Sequence, residues 1–144
     1  MKKFSILLLA GILFFSAYAL ADRKRSISRN SLPAPAQQFL KKHFADVKTT
    51  FVQQEMEVGD TDYEVLLEDG TQIEFGRKGQ IKKVENKAGI PVSVLPQRIA
   101  STIAERFHGQ SVVQIDFDRR SIEVEMASGI EIEFDKQGRM VSFD

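Results

Sequence analysis

The chain has 144 residues, a formal net charge of zero, eleven Phe, no Trp and no Cys. The lack of Cys excludes a disulfide framework, a thiolate nucleophile and a lipoprotein-type lipid anchor. The balanced charge leaves no electrostatic footprint for nucleic acid or a bulk anionic surface.

The first 21 residues, MKKFSILLLAGILFFSAYALA, stand apart by composition. Lys2 and Lys3 make a short positive start, an apolar run follows, and Ala17-Tyr18-Ala19 and Ala19-Leu20-Ala21 offer small-x-small cleavage geometry. That layout is a secretory signal peptide. The competing reading is an uncleaved anchor. The apolar run over residues 4–20 would span roughly 25 Å as a helix, which is marginal for a bilayer. Arg23, Lys24, Arg25 and Arg29 outnumber the two lysines before the run, against the positive-inside tendency. Cleavage after Ala21 leaves 18 basic against 20 acidic residues, a net charge of −2. Residues 22–31 are polar and are expected to form a disordered basic leader, with membrane contact only through an uncleaved signal.

From Leu32 the sequence reads twice. Leu32-Pro33 and Phe44 recur as Leu95-Pro96 and Phe107. Then "YEVLLEDGTQIEFGRKGQ" aligns with "IEVEMASGIEIEFDKQGR", so that Tyr63/Ile122, Val65/Val124, Gly70/Gly129, Ile73/Ile132, Phe75/Phe134 and Gly79/Gly138 coincide. Self-similarity of this kind marks a repeat. The copies run over residues 32–85 and 95–144, joined by a linker at 86–94.

Each copy opens with a helix. Ala36, Phe39, Leu40 and Phe44 form one apolar stripe, and Ile99, Ile103 and Phe107 the other, flanked by Ala100 and Ala104. Gly109 is placed to cap the second helix. First strands are expected at residues 50–58 and 112–118. A hairpin follows in each copy. Period two puts Ile122, Val124, Met126, Ile130, Ile132 and Phe134 on one face. A two-residue loop would oppose Met126 to Glu131 and mix the faces. A three-residue loop, Ala127-Ser128-Gly129, opposes Val124 to Ile132 and needs a left-handed residue where Gly129 stands. Glu68-Asp69-Gly70 follows the same logic. A last strand follows Gly79 and Gly138, with no assignable inward face. In the linker, Ile90, Val92 and Val94 predict an extended, partly buried crossing. The expected fold is α+β: tandem α-β4 repeats, with antiparallel strands and helices packed on one face. The two sheets either join into one of eight strands or lie side by side.

Chemistry is sparse. There is no Gly-x-Ser-x-Gly elbow, phosphate loop or dinucleotide fingerprint. His43 and His108 lie near helix C-termini, where the dipole favours a cation, and they make no zinc-ligand pair. The expectation is no enzyme, no cofactor and no metal site.

The one unusual constellation is carboxylate. The register sets Glu125 opposite Glu131 and Glu123 opposite Glu133, although opposed like charges repel. Asp116 and Asp118 extend this patch if the preceding strand pairs alongside. In the first copy only Glu64 opposite Glu74 repeats it, because Leu66, a solitary apolar residue on that face, opposes Gln72. The face reads in four ways. It is a solvated surface screened by salt and by Arg119, Arg120 or Arg139; a docking face for a basic protein or peptide; a calcium site; or a carboxylate pair for hydrolysis. No cleft or substrate-holding aromatic accompanies the last, since Tyr63 and the phenylalanines read as core.

Leu-Pro before a short helix ending in Phe, followed by "YEVLLEDGTQIEFGRKG" and "IEVEMASGIEIEFDKQG", resembles the PepSY-like proteins of bacterial envelopes, whose fold is similar to that of the β-lactamase inhibitor protein. The resemblance covers residues 32–144. Gly76 stands where the second copy has Asp135, a departure from the Phe-Asp-x-x-Gly form. The resemblance implies an exported, non-enzymatic protein. PepSY-type modules are associated with restraining proteases, and the similar inhibitor grips its enzyme with the open face of its sheet. The expected function is a periplasmic or secreted binding module, inhibitory if it follows the relatives, whose partner is an envelope or extracellular protein such as a protease or other enzyme. The alternative is a calcium-responsive or structural envelope protein.

Overall fold

The structure is a computed structural model and describes residues 23–144. The signal-peptide and anchor readings lie outside these residues. No described helix is long and apolar enough to cross a membrane.

Nine strands form one antiparallel sheet in chain order. They are β1 (Lys24–Ile27), β2 (Thr49–Glu57), β3 (Asp60–Leu67), β4 (Gln72–Phe75), β5 (Ile81–Glu85), β6 (Val112–Phe117), β7 (Ser121–Met126), β8 (Glu131–Asp135) and β9 (Met140–Phe143). Helix α1 (Ala34–His43) precedes β2, and α2 (Gln97–Arg106) precedes β6. Pro33 and Pro96 sit at the helix starts, where a missing N–H costs nothing. Phe44 and Phe107 end the helices, each donating its N–H to the carbonyl four residues back. Gly109, expected as the cap, lies two residues beyond Phe107 with φ +76°.

The expected hairpin register is present. Val65 pairs with Ile73 and Val124 with Ile132, while Met126 N–H donates to the Ile130 carbonyl at 2.9 Å. Gly70 and Gly129 have φ of +88° and +90°, the left-handed region that the three-residue loops require. Inward residues Val52, Val65, Ile73, Val84, Ile115, Val124 and Ile132 are all buried, and they join Ala36, Leu40, Ile99 and Ile103 of the helices in one core. Phe39 meets Phe75 edge-on at 5.6 Å.

Two expectations are corrected and one open alternative is decided. Residues 24–27 are not disordered: Lys24–Ile27 pair with Val52–Glu55 as an edge strand. The two sheets are joined, because Lys83, Val84 and Glu85 pair with Asp116, Ile115 and Gln114. The linker is partly buried, with Ile90 and Val94 inside and Val92 67% exposed, but it is not extended throughout, since Val92 opens a short 3-10 turn. The inward face of the last strands was hidden by bulges. An extra residue interrupts the ladder at Lys82 in β5 and at Val141 in β9, so Ile81 and Val84 both face the core, and Met140 packs against it while Phe143, on the same side, stays largely exposed. Two further bulges fall at Thr50 in β2 and Val113 in β6.

Candidate interaction face

The helices cover one side of the sheet. On the open side, cross-strand pairing arranges the side chains in two rows that run across the strands. One row reads Gln53, Glu64, Glu74, Lys83, Asp116, Glu123, Glu133, Ser142. The next reads Phe51, Leu66, Gln72, Glu85, Gln114, Glu125, Glu131, and ends at Asp144, which exchanges two backbone hydrogen bonds with Glu131. The rows are mixed over β2–β5 and acidic over β6–β9.

In the acidic half, Glu123 lies between Asp116 and Glu133, and Glu125 opposes Glu131. Asp118 is at the β6–β7 turn, where its N–H donates to the Ser121 carbonyl. Burial pushes the Glu123 carboxyl above its ordinary range, and the charges of Asp118, Asp116, Glu133 and Glu131 push it the same way. Among the described residues no cation lies within 4 Å of Asp116, Glu123, Glu125, Glu131 or Glu133. The arginines expected to screen this face do not do so. Arg139 bonds Asp135 at 2.6 Å, and neither Arg119 nor Arg120 makes an ion pair among the described residues.

In the mixed half only Glu64 and Glu74 of the matching positions are acidic, and lysines stand among the carboxylates. Lys24 Nζ lies 3.4 Å from Glu55 and 3.8 Å from Glu64. Lys82 donates to Asp62 at 2.6 Å, and Lys83 lies 3.4 Å from Glu85. Burial raises the Glu74 carboxyl above its usual range, Lys83 opposes that shift, and Glu64 adds to it.

Leu66 is not solitary. Phe51 stands directly opposite it, 45% exposed, on the open face by simple alternation with the buried Val52. With Glu64, Gln72, Lys83 and Glu85 the pair lines a recess of about 170 Å³. Phe51 is thus the site residue missed by reading every phenylalanine as core, and strict alternation from Val52 would have found it. Phe143 also departs from the expected core set, at 59% exposed, although its ring meets Phe107 edge-on at 6.1 Å.

The histidines stay apart from this face. His43 ends α1, with Nδ1 2.9 Å from Ser93 Oγ; burial and then Lys42 hold its pKa below the ordinary value. Among the described residues no group of three His, Asp or Glu side chains converges to hold a metal ion.

A comparison with curated proteins finds no match. Solved structures are similar over nearly their whole length. A "putative periplasmic protein" of the DUF2874 family from Bacteroides vulgatus is 34% identical, with 86% of this chain and 98% of that chain covered and a TM-score of 0.80. A "putative calcium-regulated periplasmic protein" from Bacteroides thetaiotaomicron is 30% identical, with the same coverage and a TM-score of 0.82. A second Bacteroides vulgatus periplasmic protein of unknown function is 27% identical, with 84% and 98% covered and a TM-score of 0.77. These relatives place the chain in the periplasm or beyond it. The family model described as "Putative beta-lactamase-inhibitor-like, PepSY-like" matches residues 61–142. The chain belongs to that PepSY-like family.

Proposed function

We propose that this protein is an exported, non-catalytic binding module built from two copies of one α-β4 unit, and that the acidic half of its open sheet face holds a basic protein or peptide. The observation that carries the reading is the run of Asp116, Glu123, Glu125, Glu131 and Glu133 on a face no helix covers, without a cation within ion-pair distance among the described residues. Repulsion between opposed carboxylates costs a few tenths of a kcal/mol per pair, and a cationic partner relieves it while steering its own approach. Opposed glutamates on an open sheet do not enclose a substrate, which supports binding over hydrolysis. Duplication is supported by bulges at matching positions, Thr50 with Val113 and Lys82 with Val141. The inhibitor-like family relationship makes an envelope enzyme, such as a protease, the partner class to try first.

The test reverses Glu123, Glu125, Glu131 and Glu133 to Lys in the exported chain and checks the fold by circular dichroism. Capture of a partner from the protein's own envelope extract is expected to disappear. Retained capture by the reversed protein overturns the reading.

A second reading has one observation in its favour: the Bacteroides thetaiotaomicron relative is described as calcium-regulated. A flat strand face lacks the enclosing loop that calcium prefers, and no three carboxylates converge among the described residues. Calorimetry with millimolar calcium decides it; absence of both heat and a thermal shift removes this alternative.

A further inference from the structure

The two rows on the open face differ end to end, and this difference specifies more than a basic partner. At the β2–β3 end, Phe51 and Leu66 are directly opposed and line an open recess of about 170 Å³. Phe51 keeps 45% of its surface exposed, on the side of the sheet that does not face the core. An aromatic and an aliphatic side chain side by side in a recess, rimmed by Glu64, Lys83 and Glu85, are the makings of an anchor pocket. In the same row, beyond Gln72, Glu85 and Gln114, come Glu125 and Glu131, with Glu133 beside them. Lys83 lies between the two ends and is paired with Glu85, so a cation on a partner finds no uncompensated carboxylate at Glu85 and is attracted further along.

Resting on the binding reading above, we infer that the partner presents an extended, bipartite segment that crosses the strands. One bulky apolar side chain seats between Phe51 and Leu66, and Lys or Arg residues further along lie over Glu125, Glu131 and Glu133. From β2 to β7 there are five strand steps, about 24 Å at about 4.8 Å each. An extended chain covers that in about seven residues at roughly 3.3 Å per residue. The apolar residue and the first cation are therefore separated by about seven positions. Charge complementarity selects a basic protein segment over a second copy of this chain, whose own face carries the same acids.

The experiment uses the mature protein and two fluorescein-labelled peptides in low salt. Each peptide carries three Lys at one end; seven residues of Gly and Ser separate them from Phe in one peptide and from Ser in the other. Anisotropy is expected to show the Phe peptide binding about 10-fold tighter, the scale of burying one large apolar side chain. Phe51→Ser should bring the two peptides to equal affinity while leaving the Ser peptide's affinity unchanged. Glu125→Lys with Glu131→Lys should weaken both. Equal binding of the two peptides to the unmodified protein overturns the bipartite inference and leaves the acidic-face reading standing. Indifference of the Ser peptide to the double charge reversal overturns the acidic-face reading itself. Sedimentation of the protein alone completes the set: a dimer abolished by Phe51→Ser assigns the recess to a second copy and overturns the inference.

Discussion

Glu64 and Glu123 occupy matching positions in the two halves of the sheet, each opposed by another glutamate, Glu74 and Glu133. Their surroundings differ. Glu64 has Lys24 at 3.8 Å, while Glu123 has Asp116 on its other side. Part of the difference originates on the strands that flank each hairpin. Lys82, Lys83 and Glu85 of β5 correspond to Val141, Ser142 and Asp144 at the end of the second half, and β1 brings Lys24 only to the first. Two lysines exchanged for Val and Ser, one neighbouring strand fewer, and Asp116, Glu125 and Glu131 in place of Gln53, Leu66 and Gln72 together convert a mixed surface into an acidic one. The shared core is unaffected, since Phe75 and Phe134 are both fully buried. Inward positions keep their chemistry because packing holds them. Outward positions are free to diverge, and the divergence marks the face available for a partner.

The comparison can be broken first at the core. Phe75→Ala and Phe134→Ala should each cost about 3–5 kcal/mol, measured by urea unfolding. A large inequality would show that the two halves do not share one core on equal terms. Next come the glycines that start the last strands. Gly79 has φ +81°, and a Cβ there would lie 2.8 Å from Pro33 Cβ and 3.0 Å from the Ala36 backbone nitrogen; Gly138 has φ +79° but meets only the Arg98 side chain, at 3.1 Å. Gly79→Ala should therefore cost about 2–4 kcal/mol, and Gly138→Ala about 1–2 kcal/mol. Equal losses would mean that the close approach of α1 to its turn carries no energy.

The electrostatic contrast is sharpened by smaller changes. Glu123→Gln should raise the melting temperature at pH 7 by about 2 °C, and Glu64→Gln should not. The sign follows from linkage. The folded-state pKa of Glu123 is raised, so the folded protein holds that proton to higher pH than the unfolded chain. Stability therefore falls as pH rises from the ordinary glutamate range through the raised value, and the gain from Glu123→Gln should vanish on acidification. A gain that persists at low pH would assign the effect to packing. Ser142→Lys, which transplants the first half's lysine beside Glu133, should stabilise by a few tenths of a kcal/mol and weaken binding of a Lys-containing peptide. Unchanged binding would separate the acidic excess from recognition.

Much of the site was readable from residue order, and particular residues show why the rest was not. The alternation of Glu123, Val124, Glu125 and Met126, with Gly129 three residues on, admits one hairpin register, and the structure has it. Lys82 and Val141 escaped because a bulge resets the alternation, whereas Phe51 obeys it beside the buried Val52 and is missed only when every phenylalanine is read as core. The matching of Lys82 and Lys83 with Val141 and Ser142 was present in the aligned copies, but its meaning needed the strand neighbours.

The sequence by itself determined the two helices with their apolar stripes, the hairpins and the inward residues of those hairpins, because each depends on contacts between residues near in the chain or on burial imposed by periodicity. Only the tertiary structure decided that Lys24–Ile27 pair at the sheet edge, that β5 joins β6, and which carboxylates receive a lysine. Those outcomes rest on backbone hydrogen bonds and charges brought together across long sequence separations. Backbone hydrogen bonding carries no residue code, and an ion pair exists only where the fold sets its partners within reach.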